Sequence, residues 1–130
     1  MIKNVWGVTF FVSNLEKAVA FYEKTLGLNK KYQYSSYSGF DCGGVEIGLI
    51  PKENMKREED APVVELIVDN VDETCRILKA KGVKFVKEPH DETWGGRQAT
   101  FLDLDGNRLE ITQIHWQKYF HIATEGFEKT

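Results

Sequence analysis

The sequence predicts an α+β protein built from two copies of a βαβββ module, and three observations lead there. The first is an internal repeat: "VTFFVSNLEKAVAFYEKTLGL" (Val8 to Leu28) and "VELIVDNVDETCRILKAKGV" (Val64 to Val83) share one grammar. The second is that three strand-like runs follow each copy. They are "KKYQYSSY", "GFDCGG" and "VEIGLIP" after the first, and "VKFVKEP", "GRQATFLDL" and "NRLEITQ" after the second. The third is the apolar spacing inside each copy, which runs from a strand-like alternation into a helical stripe.

Each copy opens on a short strand ending in valine, Val12 or Val68. Alternation sends Val8, Phe10 and Val12 toward the helix and leaves Gly7, Thr9 and Phe11 on the other face. In the second copy Val64, Leu66 and Val68 turn inward and Val63, Glu65 and Ile67 outward. Asn14 and Asn70 are the expected helix caps, and Gly27 and Gly82 the stops. Between them Leu15, Val19, Tyr22 and Leu26 form one stripe, and Val71, Cys75 and Leu78 another. In "VEIGLI", Val45, Ile47 and Leu49 belong to the core, while Glu46, Gly48 and Ile50 share the open face.

"FLDLDGNRLEITQ", Phe101 to Gln113, looks at first like a calcium loop, with Asp103, Asp105 and Asn107 around Gly106. Its glycine is fourth rather than sixth, and no acid stands at the twelfth position, so an EF-hand is excluded. Asp-Gly between alternating runs predicts a two-residue type I′ hairpin. That turn pairs Leu104 with Asn107, Asp103 with Arg108, Leu102 with Leu109 and Phe101 with Glu110. Glu110 then shares a face with Ala99, Phe101, Asp103, Arg108 and Thr112.

Residues 5–51 form module one, 52–61 a charged linker containing "KENMKREEDA", 62–113 module two and 114–130 a C-terminal extension, all within a single domain. The extension places Trp116, Tyr119, Phe120 and Ala123 at helical spacing, an aromatic surface that predicts a homodimer. A chain of 130 residues with 42% hydrophobic content supports one sizeable core. The net charge of -3 without clustered lysine or arginine argues against nucleic acid. No apolar run is long enough for a membrane span, and no signal-peptide pattern opens the chain. Two cysteines, Cys42 and Cys75, without CxxC spacing suggest free thiols and a cytoplasmic location.

The order of the two modules, with "NLEKAVAFYEKTLGL" after the first strand and "FLDLDGNRLEI" at the end, resembles the vicinal oxygen chelate superfamily over residues 5–113. That superfamily includes glyoxalase I, extradiol dioxygenases, fosfomycin resistance proteins and bleomycin resistance proteins. The resemblance implies an open U-shaped mixed sheet with helices on its outer face, a ligand-binding concave face and frequent dimers. It also implies that metal enzymes of the superfamily carry ligands at positions matching Gly7, Gly48, Val63 and Glu110. Three of these four have no coordinating side chain, and open metal sites need about three protein ligands. The expectation is therefore no metal and no cofactor.

The candidate ligand-binding residues are Thr9, Phe11, Glu46, Glu65, Trp94, Phe101 and Glu110. Three glutamates facing one cleft would recruit a cation or a proton, because charges about 7 Å apart repel by roughly 2 kcal/mol at an effective dielectric near 20. Arg108, on Glu110's face, is the candidate internal counter-charge. Phe11 and Phe101 supply aromatic walls or merely fill the interior. "PHDETWGGRQ" brings His90, Trp94 and Arg97 to the entrance, as a mobile lid or as a loop anchored by a buried tryptophan. Two functions follow. One is a metal-independent small-molecule binding protein resembling bleomycin resistance proteins, with an acidic aromatic cleft. The other is a lyase or isomerase with Glu110 as the candidate catalytic base, or a shifted carboxylate metal site at Glu46, Glu65 and Glu110.

Overall fold

In the computed structural model the repeat appears as two runs of the same element order. The first is β1 (Gly7–Val12), α1 (Leu15–Ala20), a π-helical turn (Phe21–Thr25), β2 (Asn29–Gln33), β3 (Ser38–Cys42) and β4 (Val45–Pro51). The second is β5 (Val64–Ile67), α2 (Val71–Ala80), β6 (Lys84–Asp91), β7 (Gly96–Leu102) and β8 (Arg108–Ile114), followed by α3 (Trp116–Glu125). The structure describes residues 1, 3, 5–54 and 61–125, with side chains through 121; most of the expected linker, and the Ala123 side chain, lie outside these. The strands form two four-stranded mixed sheets, ordered β1-β4-β3-β2 and β5-β8-β7-β6. In each, one parallel pair, β1 with β4 or β5 with β8, joins an antiparallel meander. This is the predicted α+β class. The chain divides into two compact units, residues 1–61 with 103–107, and residues 62–102 with 108–130.

In the first unit Asn14 caps α1 by accepting the Lys17 backbone N–H at 3.0 Å. The helix then widens: Leu26 N–H reaches back five residues to the Phe21 carbonyl at 2.9 Å, so the last turn is π rather than α. That turn buries both Phe21 and Tyr22; of the expected stripe Leu15, Val19 and Tyr22 are buried and Leu26 is only half-buried, while Ala18 and Phe21 join the core. Phe10, Val12, Phe40, Ile47 and Leu49 complete the core with Tyr22, whose ring lies 5.9 Å from that of Phe40. Burying each such side chain contributes roughly 1.5–3 kcal/mol. Thr9 and Phe11 remain exposed, as alternation requires.

In the second unit Asn70 caps α2 through the Glu73 N–H at 3.0 Å. Val71, Cys75 and Leu78 are buried, together with Ala99, Phe101, Leu109 and Ile111. Val63, Glu65 and Ile67 are exposed.

The hairpin between β7 and β8 departs from the expected two-residue turn. Five residues, 103–107, separate the strands, and the ladder pairs Leu102 with Arg108, Phe101 with Leu109 and Thr100 with Glu110. The cause is a side-chain network that outcompetes a simple type I′ turn. Asp103 accepts the backbone N–H of Asp105 at 2.9 Å and of Asn107 at 2.8 Å, the Asn107 side-chain amide at 2.7 Å, and the Tyr22 hydroxyl at 2.8 Å. The buried Asp103 is thereby satisfied, and Asn107 also donates to the Phe11 carbonyl at 3.1 Å. A slip of one residue moves a whole strand to the opposite face. Phe101, expected beside Glu110, is fully buried and packs 5.4 Å from the ring of Phe85, while Thr100 takes its place.

β6 is also longer than expected. It runs to Asp91, so His90 enters the ladder opposite Gln98, and only residues 92–95 remain between β6 and β7. Trp94 covers Gly96, where an added Cβ would meet the indole closer than 3.0 Å, and its ring stands edge-on to Tyr119 at 6.3 Å. Anchored on both sides, Trp94 follows the packed reading rather than that of a free lid.

Candidate functional site

Each sheet has a face turned away from its helix, and the polar chemistry of the described residues gathers on these two faces. In the first unit, one cross-strand row reads Thr9, Gly48, Gly39, Tyr32, from β1 to β2. The two central glycines form a floor without side chains. A Cβ on Gly48 would lie 2.7 Å from Tyr37 Cζ and 2.8 Å from its Cε1; a Cβ on Gly39 would lie 3.0 Å from Glu46 Cδ and closer still to the Tyr32 ring. Only glycine leaves room for the tyrosines and the glutamate to lie across the sheet.

Glu46 is the centre of that arrangement. Only 5% exposed, it accepts a hydrogen bond from the Tyr32 hydroxyl at 2.5 Å on Oε1 and from the Tyr37 hydroxyl at 2.5 Å on Oε2. Lys31 Nζ donates to Oε1 at 2.9 Å. A carboxylate with three donors stays ionised: the Tyr32, Tyr37 and Lys31 hydrogen bonds outweigh burial and hold Glu46 down at about 2. The reciprocal effect appears on its partners. Burial and then Glu46 push Tyr37 up to about 12, with a hydrogen bond from Thr9 acting the other way, and Glu46 raises Tyr32. Thus Thr9 touches the same network. Phe11, 41% exposed, has Lys52 Nζ over its ring at 4.9 Å.

The second unit's face has a different logic. One row runs Lys87, Thr100, Glu110, Glu65, from β6 to β5. Thr100 donates to Glu110 Oε2 at 3.1 Å, and Gln98 donates from one amide nitrogen to Glu65 Oε1 and to Thr112 Oγ1, both at 3.1 Å. Burial first, then a hydrogen bond with the neighbouring Glu65 carboxylate, raise Glu110 above the usual carboxylate range, against the opposing pull of Thr100 and Lys87. Two carboxyl groups set side by side hold a proton at Glu110 more firmly than a solvated carboxylate does.

Of the expected site residues, Glu65 and Glu110 are adjacent, Glu46 and Thr9 belong to the tyrosine network, Phe11 is on the open face, Trp94 is packed against Tyr119, and Phe101 is in the core. His90 is held by the Glu88 carbonyl at 2.8 Å and Glu92 at 2.9 Å, and Arg97 by Asp72 at 2.8 and 2.9 Å and Asp91 at 3.1 Å. Arg108 stands across from Leu102 rather than Asp103. Sequence reasoning missed Lys31, Tyr32, Tyr37, Gln98 and Thr100. Alternation in "KYQY" could have found Tyr32, but Tyr37 is off that parity, in the turn between β2 and β3; Gln98 and Thr100 alternate too, on a strand whose register differs from the expected one.

The model of the Glyoxalase/Bleomycin resistance protein/Dioxygenase superfamily matches residues 7–111. The chain belongs to this superfamily. Among its relatives are the uncharacterized protein YraH of Bacillus subtilis (strain 168), 33% identical over 82% of this chain and 95% of that protein, and the metallothiol transferase FosB of Staphylococcus epidermidis, 29% identical over 85% and 84%. The genomically encoded fosfomycin resistance protein FosX of Listeria monocytogenes, in complex with Mn(II) and sulfate, shares the fold. Its TM-score is 0.79 at 22% identity, covering 95% of this chain and 99% of that one.

Metal enzymes occur in the superfamily, so the positions at which they carry ligands can be compared with the residues present. A Cβ on Gly7 would lie 3.1 Å from Glu46 Cβ and closer than 3.0 Å to the Glu46 carbonyl oxygen, a backbone atom that cannot swing aside. At Gly48 the space is filled by the Tyr37 phenol. Val63 has no donor atom, and Glu110 faces a second carboxyl. Among the described residues no group of three or more histidine, cysteine, aspartate or glutamate side chains is placed to hold a metal ion. The residues do not fit the superfamily's metal.

Proposed function

We propose that this chain is a metal-independent small-molecule binding protein of the superfamily, using its polar, aromatic sheet faces for a cationic or planar aromatic ligand. The observation that carries this reading is the filled ligand position at Gly48: the Tyr37 phenol lies there and is tied to Glu46, so the network stands in place of a metal ligand. On the first unit's face exposed Phe11 supplies an apolar surface, and on the second unit's face the Glu65–Glu110 pair supplies acidic groups. The aromatic side of α3, where Trp116 and Phe120 stack at 5.9 Å and are 55% and 58% exposed, is assigned to a homodimer, testable by light scattering at micromolar concentration.

The binding reading predicts that protein dialysed against EDTA takes up a planar cationic dye such as proflavine in a fluorescence titration, and that adding Mn(II), Zn(II) or Fe(II) does not improve uptake. Binding that appears only on adding metal overturns it. FosB, the metallothiol transferase among the relatives, makes the contrast concrete, since its name implies a metal that these residues do not fit.

One observation favours a second reading. Glu110 lies directly across from Glu65, and its raised proton affinity, caused by burial and by that second carboxyl, suits a group that moves a proton next to a carbonyl, as a lyase or isomerase without a metal requires. Exchange of α-protons of small α-hydroxyketones into deuterated water, lost in Glu110→Gln, would establish this reading; no exchange leaves the binding function alone.

A further inference from the structure

Lys31 occupies an unusual position for a strand residue beside a buried acid. Its ammonium donates to Glu46 Oε1 at 2.9 Å and at the same time lies 5.7 Å from the centroid of the Trp6 ring and 5.5 Å from that of Tyr32. Tyr34 packs 5.7 Å from Tyr32, and Tyr37 6.1 Å from it on another side. One carboxylate that accepts from two phenols as well as from the lysine, and two aromatic faces within 6 Å, are the parts of a site that recognises an alkylammonium group. The chain's own lysine supplies that group.

We propose that Glu46, Trp6 and Tyr32 form a binding site for a primary alkylammonium ligand, and that Lys31 is its built-in competitor. This deepens the cationic-ligand reading above and rests on it for the class of ligand. The surroundings favour an exchangeable occupant over a purely structural ion pair. The acid is almost fully buried and keeps two phenol donors when the lysine leaves, while the lysine side chain is 39% exposed and Trp6 is 74% exposed. An ammonium can therefore leave toward solvent and another enter from it without disturbing the core. A tethered competitor acts at an effective concentration in the millimolar range, so it masks a free amine of similar intrinsic affinity. A ligand displaces it by adding contacts that lysine lacks, through an alkyl or aromatic body laid against Trp6 or Tyr34.

The test uses the full chain and Lys31→Met, which keeps an unbranched apolar stem and removes the charge. Each is titrated with n-butylammonium and with neutral 1-butanol, followed by the ring-proton signals of Tyr32 and Tyr34 in NMR. The proposal expects Lys31→Met to bind n-butylammonium about tenfold or more tighter than the parent, with no such gain for 1-butanol. The gain should vanish in Lys31→Met combined with Glu46→Gln. Where the buried Gln is not tolerated, Lys31→Met combined with Trp6→Leu serves instead, because Trp6 is exposed. Equal affinity in parent and Lys31→Met, an equal gain for 1-butanol, or a gain that survives loss of Trp6 overturns the proposal. EDTA is present throughout, so a failure here leaves the metal-independent reading untouched, and a metal found in the protein does not decide this experiment.

Discussion

On the first unit's open face Glu46 is surrounded by donors and kept ionised, whereas on the second unit's open face Glu110 is set beside another carboxyl and kept protonated into a higher pH range. Both are strand glutamates with the same parity, pointing away from a helix-covered core. What separates them is the neighbouring strand. β2 and the β2–β3 turn bring Lys31, Tyr32 and Tyr37 over a glycine floor, while β5 brings only Glu65. A carboxylate's surroundings in this fold are thus decided by the side chains that reach it: at Glu46, which lies across from Gly7 and Asp41, they come from outside its own cross-strand row, and at Glu110 from within it.

The largest break in that contrast comes from Glu46→Ala. Removing the acceptor leaves the Tyr37 and Tyr32 hydroxyls without their buried partner and should cost roughly 2–4 kcal/mol of unfolding free energy in urea titration. A loss below about 0.5 kcal/mol, the size of an ordinary surface substitution, would show that the network is not structural. Gly48→Ala comes next: its methyl must displace the Tyr37 phenol, at an expected cost of about 1–3 kcal/mol. Val63→His, on the second unit's exposed edge, should stay within about 0.5 kcal/mol of the parent. Equal effects of the two substitutions would erase the distinction between a filled and an open ligand position.

The smallest effect sharpens the comparison by its sign. Glu46 sits near 2 in the folded chain, below its ordinary value, so its contribution to stability is present above the usual carboxylate range and is lost as pH falls toward about 2. Glu110 is raised, so its contribution is present below the usual range and is lost as pH rises through its folded value. Glu110→Gln mimics the protonated form and should stabilise the chain at pH 7, by no more than about 1 kcal/mol, with the benefit fading in acid. Melting temperatures of variant and parent across the pH range check this; a variant that melts below its parent at pH 7, or gains only in acid, contradicts the assignment.

Much of this architecture was legible because its signals are local. Asn14 and Asn70 each lie three residues from the N–H they cap, and the alternation of Val8 to Val12 or Val45 to Leu49 is complete within one strand. The face of β7 was not legible, because its register depends on Asp103 being satisfied in part by Tyr22, eighty-one residues away. Once that turn holds five residues, Phe101 goes to the core and Thr100 to Glu110 whatever the Asp-Gly pair suggests. Glu46 was placed on the correct face by parity alone, yet its partners come from β2 and the turn after it, and nothing in "VEIGLI" indicates them.

The central claim is that the residues at the superfamily's metal positions, Gly7, Gly48, Val63 and Glu110, are too few in side-chain ligands to hold its metal in this chain, and metal content tests it most directly. Protein purified without chelator, then equilibrated with Mn(II), Zn(II) or Fe(II) and desalted, should carry well under about 0.1 metal ion per chain by elemental analysis, since one carboxyl beside another is too few ligands for a stable site. About one ion per chain, lost in Glu110→Gln, would contradict the account and establish a carboxylate metal centre instead.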